Sequence, residues 1–91
     1  MDQAHLIISG KVQGVCYRAS CQDVAVRHGL NGWVKNLSSG QVEVLVQGDK
    51  KEEIEKLIEW CKKGPPSSRV IEVSVEWENT SEKFNGFSVI S

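Results

Sequence analysis

Two glycines and an arginine follow the first apolar run of the chain in a pattern that suits the binding of an anion. Gly10 and Gly14 lie four residues apart, and Arg18 lies four residues after the second of them. Glycine lets a loop curl until successive backbone N–H groups converge on one point. The planar guanidinium of an arginine can bind two oxygens of a phosphate or carboxylate at once. The stretch therefore predicts a site for a phosphate or a carboxylate.

Elements of regular structure on both sides would hold this loop in place. Residues 6–8 predict a short strand that is buried on both faces. A helix is predicted from Tyr17 to Gly29, because a glycine there commonly ends a helix in the left-handed conformation. The unpaired N–H groups and the positive end of the helix dipole would then lie beside the loop, which favours an anion.

Four further strands are predicted along the chain. Residues 32–35 and 41–47 form two of them, joined by a hairpin loop in which Gly40 can adopt a positive φ. Residues 71–77 alternate between apolar and polar side chains, which indicates a half-buried strand. A short last strand is predicted at residues 87–89. The apolar positions of the half-buried strand are Ile71, Val73, Val75 and Trp77.

A second helix is predicted between the hairpin and the half-buried strand. Asp49 is the expected N-cap, because Glu52 follows three positions later in a pattern close to a capping box. A glycine and two prolines at residues 64–66 end the helix. Its apolar stripe comprises Ile54, Leu57, Ile58 and Cys61.

The order of these elements predicts a ferredoxin-like β-α-β-β-α-β fold of the α+β class, with a short extra C-terminal strand. We expect an antiparallel sheet with two helices on one face. The first two strands run parallel with the third between them, so their carboxyl ends share one edge of the sheet. Arg18, after the first strand, should then face Asn36, at the end of the second. An asparagine amide both donates and accepts hydrogen bonds, which suits the holding of a water molecule.

Two segments carry a more specific signal. The sequence GKVQGVCYR at residues 10–18 and the sequence GWVKNLSSGQVEVLVQG at residues 32–48 resemble the two signatures of the acylphosphatase family. The similarity extends along the whole chain. The resemblance implies a hydrolase that uses neither a metal nor an organic cofactor. Its substrate would be a small-molecule acyl phosphate, split into a carboxylate and inorganic phosphate.

The resemblance also implies roles for single residues. Arg18 resembles the phosphate-binding arginine of the family, and Asn36 resembles the asparagine that positions the attacking water. The backbone of five consecutive residues resembles the phosphate cradle, and these residues are Gln13, Gly14, Val15, Cys16 and Tyr17.

Two residues depart from the family pattern. Cys16 occupies a variable position within the cradle and is expected to contribute only its N–H, although its place at a helix N-terminus makes it a candidate for a reactive thiol. Leu37 follows Asn36 where some relatives carry a threonine, so a supporting hydroxyl is missing. The acidic residue nearest to Asn36 along the chain is Glu43. We therefore expect the phosphate of the substrate to accept the proton of the attacking water.

The composition of the whole chain sets the remaining limits. The 91 residues include 11 Lys and Arg and 12 Asp and Glu, for a net charge of −1. We expect one domain over residues 1–91 and a monomer. The balance of charge disfavours nucleic acid as a partner, because that class usually shows a basic excess. The amino terminus resembles neither a signal peptide nor a membrane span, so we predict a cytoplasmic protein with three reduced cysteines.

The motifs also allow other interpretations. Cys21 and Arg27 have the C-x5-R spacing of cysteine-dependent phosphatases, but CQDVAVR lacks a glycine and lies within a predicted helix, which favours a core position for Cys21. An RNA-binding module would carry aromatic residues in its third strand, which QVEVLVQ lacks. A non-catalytic anion-binding domain stays open, because larger carbamoyl-transferring maturation enzymes carry an acylphosphatase-like domain. The spacing of His5 and His28 is not that of metal ligands.

Overall fold

A computed structural model describes residues 1–90 as a five-stranded sheet with two helices. The elements are β1 (Asp2–Lys11), α1 (Tyr17–Arg27), β2 (Asn31–Asn36), β3 (Val42–Gly48), α2 (Lys51–Lys63), β4 (Arg69–Asn79) and β5 (Phe87–Ile90). The strand order is β4-β1-β3-β2-β5. β1 and β2 both pair antiparallel with β3 and are therefore parallel to each other, while β5 pairs parallel with β2. The predicted ferredoxin-like fold with an added last strand is confirmed.

The core lies between the sheet and the two helices. Alternate residues of the two central strands are fully buried, as are three of the four residues predicted for the stripe of α2, and the fourth, Ile58, is 6% exposed. Each such side chain contributes about 1.5–3 kcal/mol when it leaves water. The central members of this core are Leu6, Ile8, Val42, Val44, Val46, Ile54, Leu57 and Cys61. Neither helix is long and apolar enough to cross a membrane.

The structure corrects both bounds of β1 and the beginning of α2. β1 runs from Asp2 to Lys11 and not only over residues 6–8, because it lies between two partner strands whose ladders extend it in both directions. The N-cap of α2 is Lys50, and the prediction of Asp49 is wrong. Gly48 still pairs with Asp2, so the chain needs one more residue to turn from β3 into the helix. Acidic side chains in the first turn, not a capping side chain, complement the dipole of α2.

A bulge in β4 overturns the expectation that Ile71 faces the core. Ser9 lies opposite Glu72 and Gly10 lies opposite Val70, so Ile71 is an extra residue in β4 and is 79% exposed. Gly10 has φ +127°, and a Cβ on it would lie 2.1 Å from the carbonyl oxygen of Arg69. The first glycine of the motif therefore allows β1 and β4 to approach closely, one residue before the end of β1.

Candidate active site

The loop between β1 and α1 is anchored by apolar side chains and contains two residues in the left-handed region. Val12 and Val15 are buried in the core. Gly14 has φ +73°, and Cys16, at the N-cap of α1, has φ 63° and is the one non-glycine residue with a positive φ within residues 1–90. A left-handed conformation costs a residue with a side chain roughly 1–2 kcal/mol. Such strain at a helix N-terminus marks the loop as a candidate functional site.

The N-terminus of α1 has no side chain that neutralises it. The cap makes no side-chain hydrogen bond, and the first turn holds no acidic residue. The N-terminus of α2 differs, because Glu52 and Glu53 lie in its first turn. No side chain of residues 1–90 thus competes with an anion for the first N–H groups of α1 or for its dipole.

Side chains brace the loop on two sides. Gln13 Nε2 donates to the carbonyl oxygen of Leu37 at 2.8 Å and to that of Gln41 at 2.9 Å. Ser67 Oγ donates to the carbonyl oxygen of Val15 at 3.3 Å. The loop is therefore tied to the β2–β3 turn on one side and to the segment before β4 on the other.

Arg18 lies in the first turn of α1, as predicted. Its Nη1 donates to the carbonyl oxygen of Ile90 in β5 at 3.3 Å. A guanidinium carries five N–H donors in a planar fork, so this bond leaves most of them free to meet a ligand. Gln22, one turn further along the helix, donates to the carbonyl oxygen of Phe87 at 2.9 Å. Both bonds fix the helix against β5.

Asn36 is the last residue of β2 and lies opposite Val42 of β3. Its Oδ1 is buried and has no hydrogen-bond partner among residues 1–90. A buried acceptor without a partner costs about 1–3 kcal/mol. A donor that reached this atom, such as a water molecule held beside a ligand, would recover that free energy.

One cavity of about 190 Å³ brings most of the predicted site residues together. Arg18 and Asn36 both line it. Gly14, Cys16 and Tyr17 line it as well, whereas Gln13 and Val15 do not, because their side chains serve as brace and anchor. The complete lining is Val12, Gly14, Cys16, Tyr17, Arg18, Ala19, Asn36 and Val89. Three larger hollows, of about 240, 460 and 630 Å³, lie elsewhere among residues 1–90 and share none of these residues.

The sequence did not point to two contributions to this cavity. Val89 closes one side of it, and Ile90 provides the carbonyl that holds Arg18. The last strand was predicted, but nothing in its pattern indicates that it pairs with β2 beside the site. The brace formed by the Gln13 side chain was missed too, because a glutamine in a loop carries no signal of a partner 24 residues away.

The side chain of Tyr17 joins the start of α1 to the end of α2. Its hydroxyl donates to the carbonyl oxygen of Cys61 at 2.6 Å, and its ring packs against Trp60 with centroids 5.2 Å apart. Burial raises the pKa of Tyr17, and the neighbouring Cys61 raises it further. The phenol therefore stays protonated and acts as an anchor.

The C-x5-R spacing has no catalytic arrangement behind it. Cys21 is fully buried in the middle of α1, which confirms the prediction of a core position. A hydrogen bond with Cys61 and burial both raise the pKa of the Cys21 thiol, so the thiolate that this chemistry requires is disfavoured. Arg27 is exposed and pairs with Asp23.

Comparison with known proteins agrees with the geometry. A sequence profile for the family described as Acylphosphatase matches residues 4–89. The chain belongs to the acylphosphatase family. An acylphosphatase from Pelotomaculum thermopropionicum is 44% identical over 87 residues, or 96% of this chain and 94% of the relative. One from Pyrobaculum islandicum is 47% identical over 89 residues, or 97% of this chain and 93% of the relative. Acylphosphatases are enzymes, so this chain belongs to a family of enzymes.

Solved structures give the same result. The crystal structure of acylphosphatase from Bacillus subtilis has a TM-score of 0.96 and 36% identity to this chain, with all of both chains covered. A similar unit occurs in a much longer protein. The crystal structure of full-length HypF, in its phosphate- and nucleotide-bound form, matches all of this chain at a TM-score of 0.84 and 35% identity, but only 12% of that protein is covered.

Proposed function

We propose that this acylphosphatase-family chain hydrolyses acyl phosphates at the cavity that Arg18 and Asn36 share. The observation that carries the proposal is their convergence on one space of about 190 Å³ beside the uncapped N-terminus of α1. The family supports acyl phosphate hydrolysis as the activity. The lining of the cavity supports separate roles for its residues in binding the phosphoryl group and in positioning the water.

The phosphoryl group of the substrate binds at the N-terminus of α1. The cradle, residues 13–17, offers backbone N–H groups, and the helix dipole adds a positive potential. Arg18, which lines the same cavity, contributes charged donors to the anion. Left-handed backbone at Gly14 and Cys16 holds the cradle in a curled shape before the substrate arrives. The site thus recognises mainly the phosphoryl group of a small molecule.

Asn36 positions the attacking water. Its buried Oδ1 accepts a hydrogen bond from the water and orients a lone pair of the water oxygen toward phosphorus. The new P–O bond forms as the bond between phosphorus and the acyl oxygen breaks, and the carboxylate leaves with the electron pair. The leaving group is good, so positioning and charge stabilisation supply most of the catalysis.

The proton of the water goes to a phosphate oxygen of the substrate. Within residues 1–90 no carboxylate lines the cavity. Glu43, the acidic residue nearest to Asn36 along the chain, is paired with His5 at 2.5 Å and with Lys35 at 3.6 Å. It lies at a β3 position next to the inward-facing Val42 and Val44, which places it on the sheet face away from the core.

Hydrolysis of benzoyl phosphate, followed by the loss of its ultraviolet absorbance, tests the proposal. We expect metal-independent turnover by the wild type and a loss of about 10²–10³ in kcat for Asn36→Ala. Phosphate inhibition should persist in Asn36→Ala and disappear in Arg18→Ala. Arg27→Ala is the matched control, because it removes an exposed arginine of the same helix. If Asn36→Ala weakened phosphate binding as much as Arg18→Ala, the assignment of the water to Asn36 would be wrong.

A second candidate is a non-catalytic phosphate-binding domain, favoured by the likeness to part of HypF. In that case the wild type would bind phosphate through Arg18 and would not turn over benzoyl phosphate. We further propose that the chain acts as a monomer in the cytoplasm without nucleic acid. Its net charge of −1 and its three free cysteines support this.

A further inference from the structure

We propose that the side chain of Gln13 is a positioning residue that fixes Asn36 relative to the phosphate cradle. The inference deepens the proposed function and rests on it. Within residues 1–90, Gln13 is the one residue that gives its backbone to the cradle and its side chain to the turn that follows Asn36.

The two hydrogen bonds of Gln13 clamp both ends of that turn. Its amide nitrogen has two protons, and both are used, one on the carbonyl oxygen of Leu37 and one on that of Gln41. Leu37 follows Asn36 directly, and Gln41 precedes Val42, which pairs with Asn36. The N–H of Leu37 also donates to the carbonyl oxygen of Gln41 at 2.8 Å, which closes the turn between the two bonds. A shift of Gln13 therefore moves both the backbone that follows Asn36 and the backbone next to its partner Val42 on β3.

Asn36 depends on this support because no donor in the described part of the protein holds its side-chain oxygen, Oδ1. Oδ1 has no partner among residues 1–90, so the orientation of the amide follows from where the backbone places it. Leu37 has no hydroxyl that could hold the asparagine. The other side-chain bonds of the turn join Gln41 to Ser39 and to Ser9, and neither reaches the cradle.

This arrangement predicts an effect on the chemical step and not on substrate binding. The cradle holds the phosphoryl group through its backbone, which Gln13 retains whatever its side chain. The distance between phosphorus and the water held by Asn36 is set through the side chain. A misplacement of about 1 Å between reacting groups can lower the rate about 10²-fold.

The test uses Gln13→Met, which keeps the length of the side chain and removes both donors. We expect kcat for benzoyl phosphate to fall about 10- to 100-fold, with little change in KM or in inhibition by inorganic phosphate. In the Asn36→Ala background, Gln13→Met should have no further effect on kcat, because the residue through which it acts is gone. Ser39→Ala is the matched control; it removes hydrogen bonds from the same turn, and its kcat should stay within about twofold of the wild type.

Two results would overturn the proposal. One is a fall in kcat in the double variant that equals the product of the falls in Gln13→Met and Asn36→Ala. The two residues would then act independently. The other is a rise in KM and in the inhibition constant for phosphate as large as the fall in kcat, which would place the effect in the cradle.

A readout without turnover separates this proposal from the proposed function. The side-chain amide resonances of Asn36, recorded by NMR with saturating inorganic phosphate, should shift in Gln13→Met and stay in place in Ser39→Ala. If the wild type fails to hydrolyse benzoyl phosphate but the resonances shift as expected, the proposed function is wrong and the brace is real. If the resonances do not move, Gln13 does not position Asn36. The same spectra show directly whether the variant is folded.

Discussion

Alanine at two glycines of the same motif is expected to separate the cost of a clash from the cost of a backbone conformation. At Gly14 a Cβ would meet nothing within 4 Å, so only the positive φ of +73° opposes it. That conformation costs alanine roughly 1–2 kcal/mol. Alanine also makes the unfolded chain less flexible than glycine does, which stabilises the folded state by about 0.4–1 kcal/mol. Gly14→Ala should therefore lower the free energy of unfolding by about 1 kcal/mol.

Gly10→Ala is expected to be far more destabilising. Its Cβ would lie 2.1 Å from the carbonyl oxygen of Arg69 and 2.9 Å from the nitrogen of Ile71, whereas ordinary contacts lie at 3.4–4 Å. β1 and β4 would have to separate there, and each hydrogen bond lost from the ladder costs about 1 kcal/mol. With the strained φ of +127° added, we expect a loss of at least about 3 kcal/mol.

Urea unfolding, followed by tryptophan fluorescence, gives the free energy of unfolding of both variants. Their activity is measured in parallel by benzoyl phosphate hydrolysis. Gly29→Ala is the control, because Gly29 has a similar φ of +68°, equally open surroundings and a place away from the cradle. It should match Gly14→Ala in stability and keep wild-type activity, whereas Gly14→Ala should lose activity because Gly14 lies in the cradle and lines the cavity. Equal destabilisation by Gly10→Ala and Gly14→Ala would contradict the bulge and the close approach of β1 to β4.

Three other substitutions test the supports of the site and the fold. Tyr17→Phe should cost about 1–2 kcal/mol in urea unfolding, because it leaves the buried carbonyl of Cys61 without its donor. Gln47→Leu should cost about 2–3 kcal/mol in the same assay, because Gln47 is fully buried and its three hydrogen-bond partners lose their bonds. The hydrogen bond with His28 lowers the pKa of Glu53, so the stability it adds is present above the unfolded pKa and is lost as pH falls through the folded one. The melting temperature of Glu53→Gln should thus lie below that of the wild type at about pH 7, and the difference should shrink as the pH falls below the ordinary glutamate pKa of about 4.3.

The features that the sequence could predict are those encoded by local periodicity and by the motif. The stripe of α2 and the valines of β3 are positions where burial follows directly from the spacing of apolar residues. The approach of Arg18 to Asn36 could be predicted as well, because the topology alone determines which strand ends share an edge.

The features that escaped prediction depend on tertiary contacts. Ile71 fits the alternation of its strand, yet it is an extra residue in the ladder and faces outward, at the point where Gly10 of β1 comes close to β4. The capping pattern at Asp49 is a local signal that lost to the pairing of Gly48 with Asp2. The brace from Gln13 depends on where two carbonyl groups of a distant turn come to lie.

The position of β1 in the sheet has a consequence for how fast the chain reaches this structure. Asp2 pairs with Gly48 on one side and with Asn79 on the other, so nearly the whole length of the chain must be brought together before β1 has both neighbours. Closing long loops costs entropy before the contacts repay it, and proteins dominated by such distant pairings fold in about milliseconds to seconds. Until β4 pairs with β1, the edge of β1 that faces away from β3 presents unpaired N–H and C=O groups to solvent. The chain is therefore most prone to associate with other copies during folding, when this edge is open, and least so once β4 has covered it.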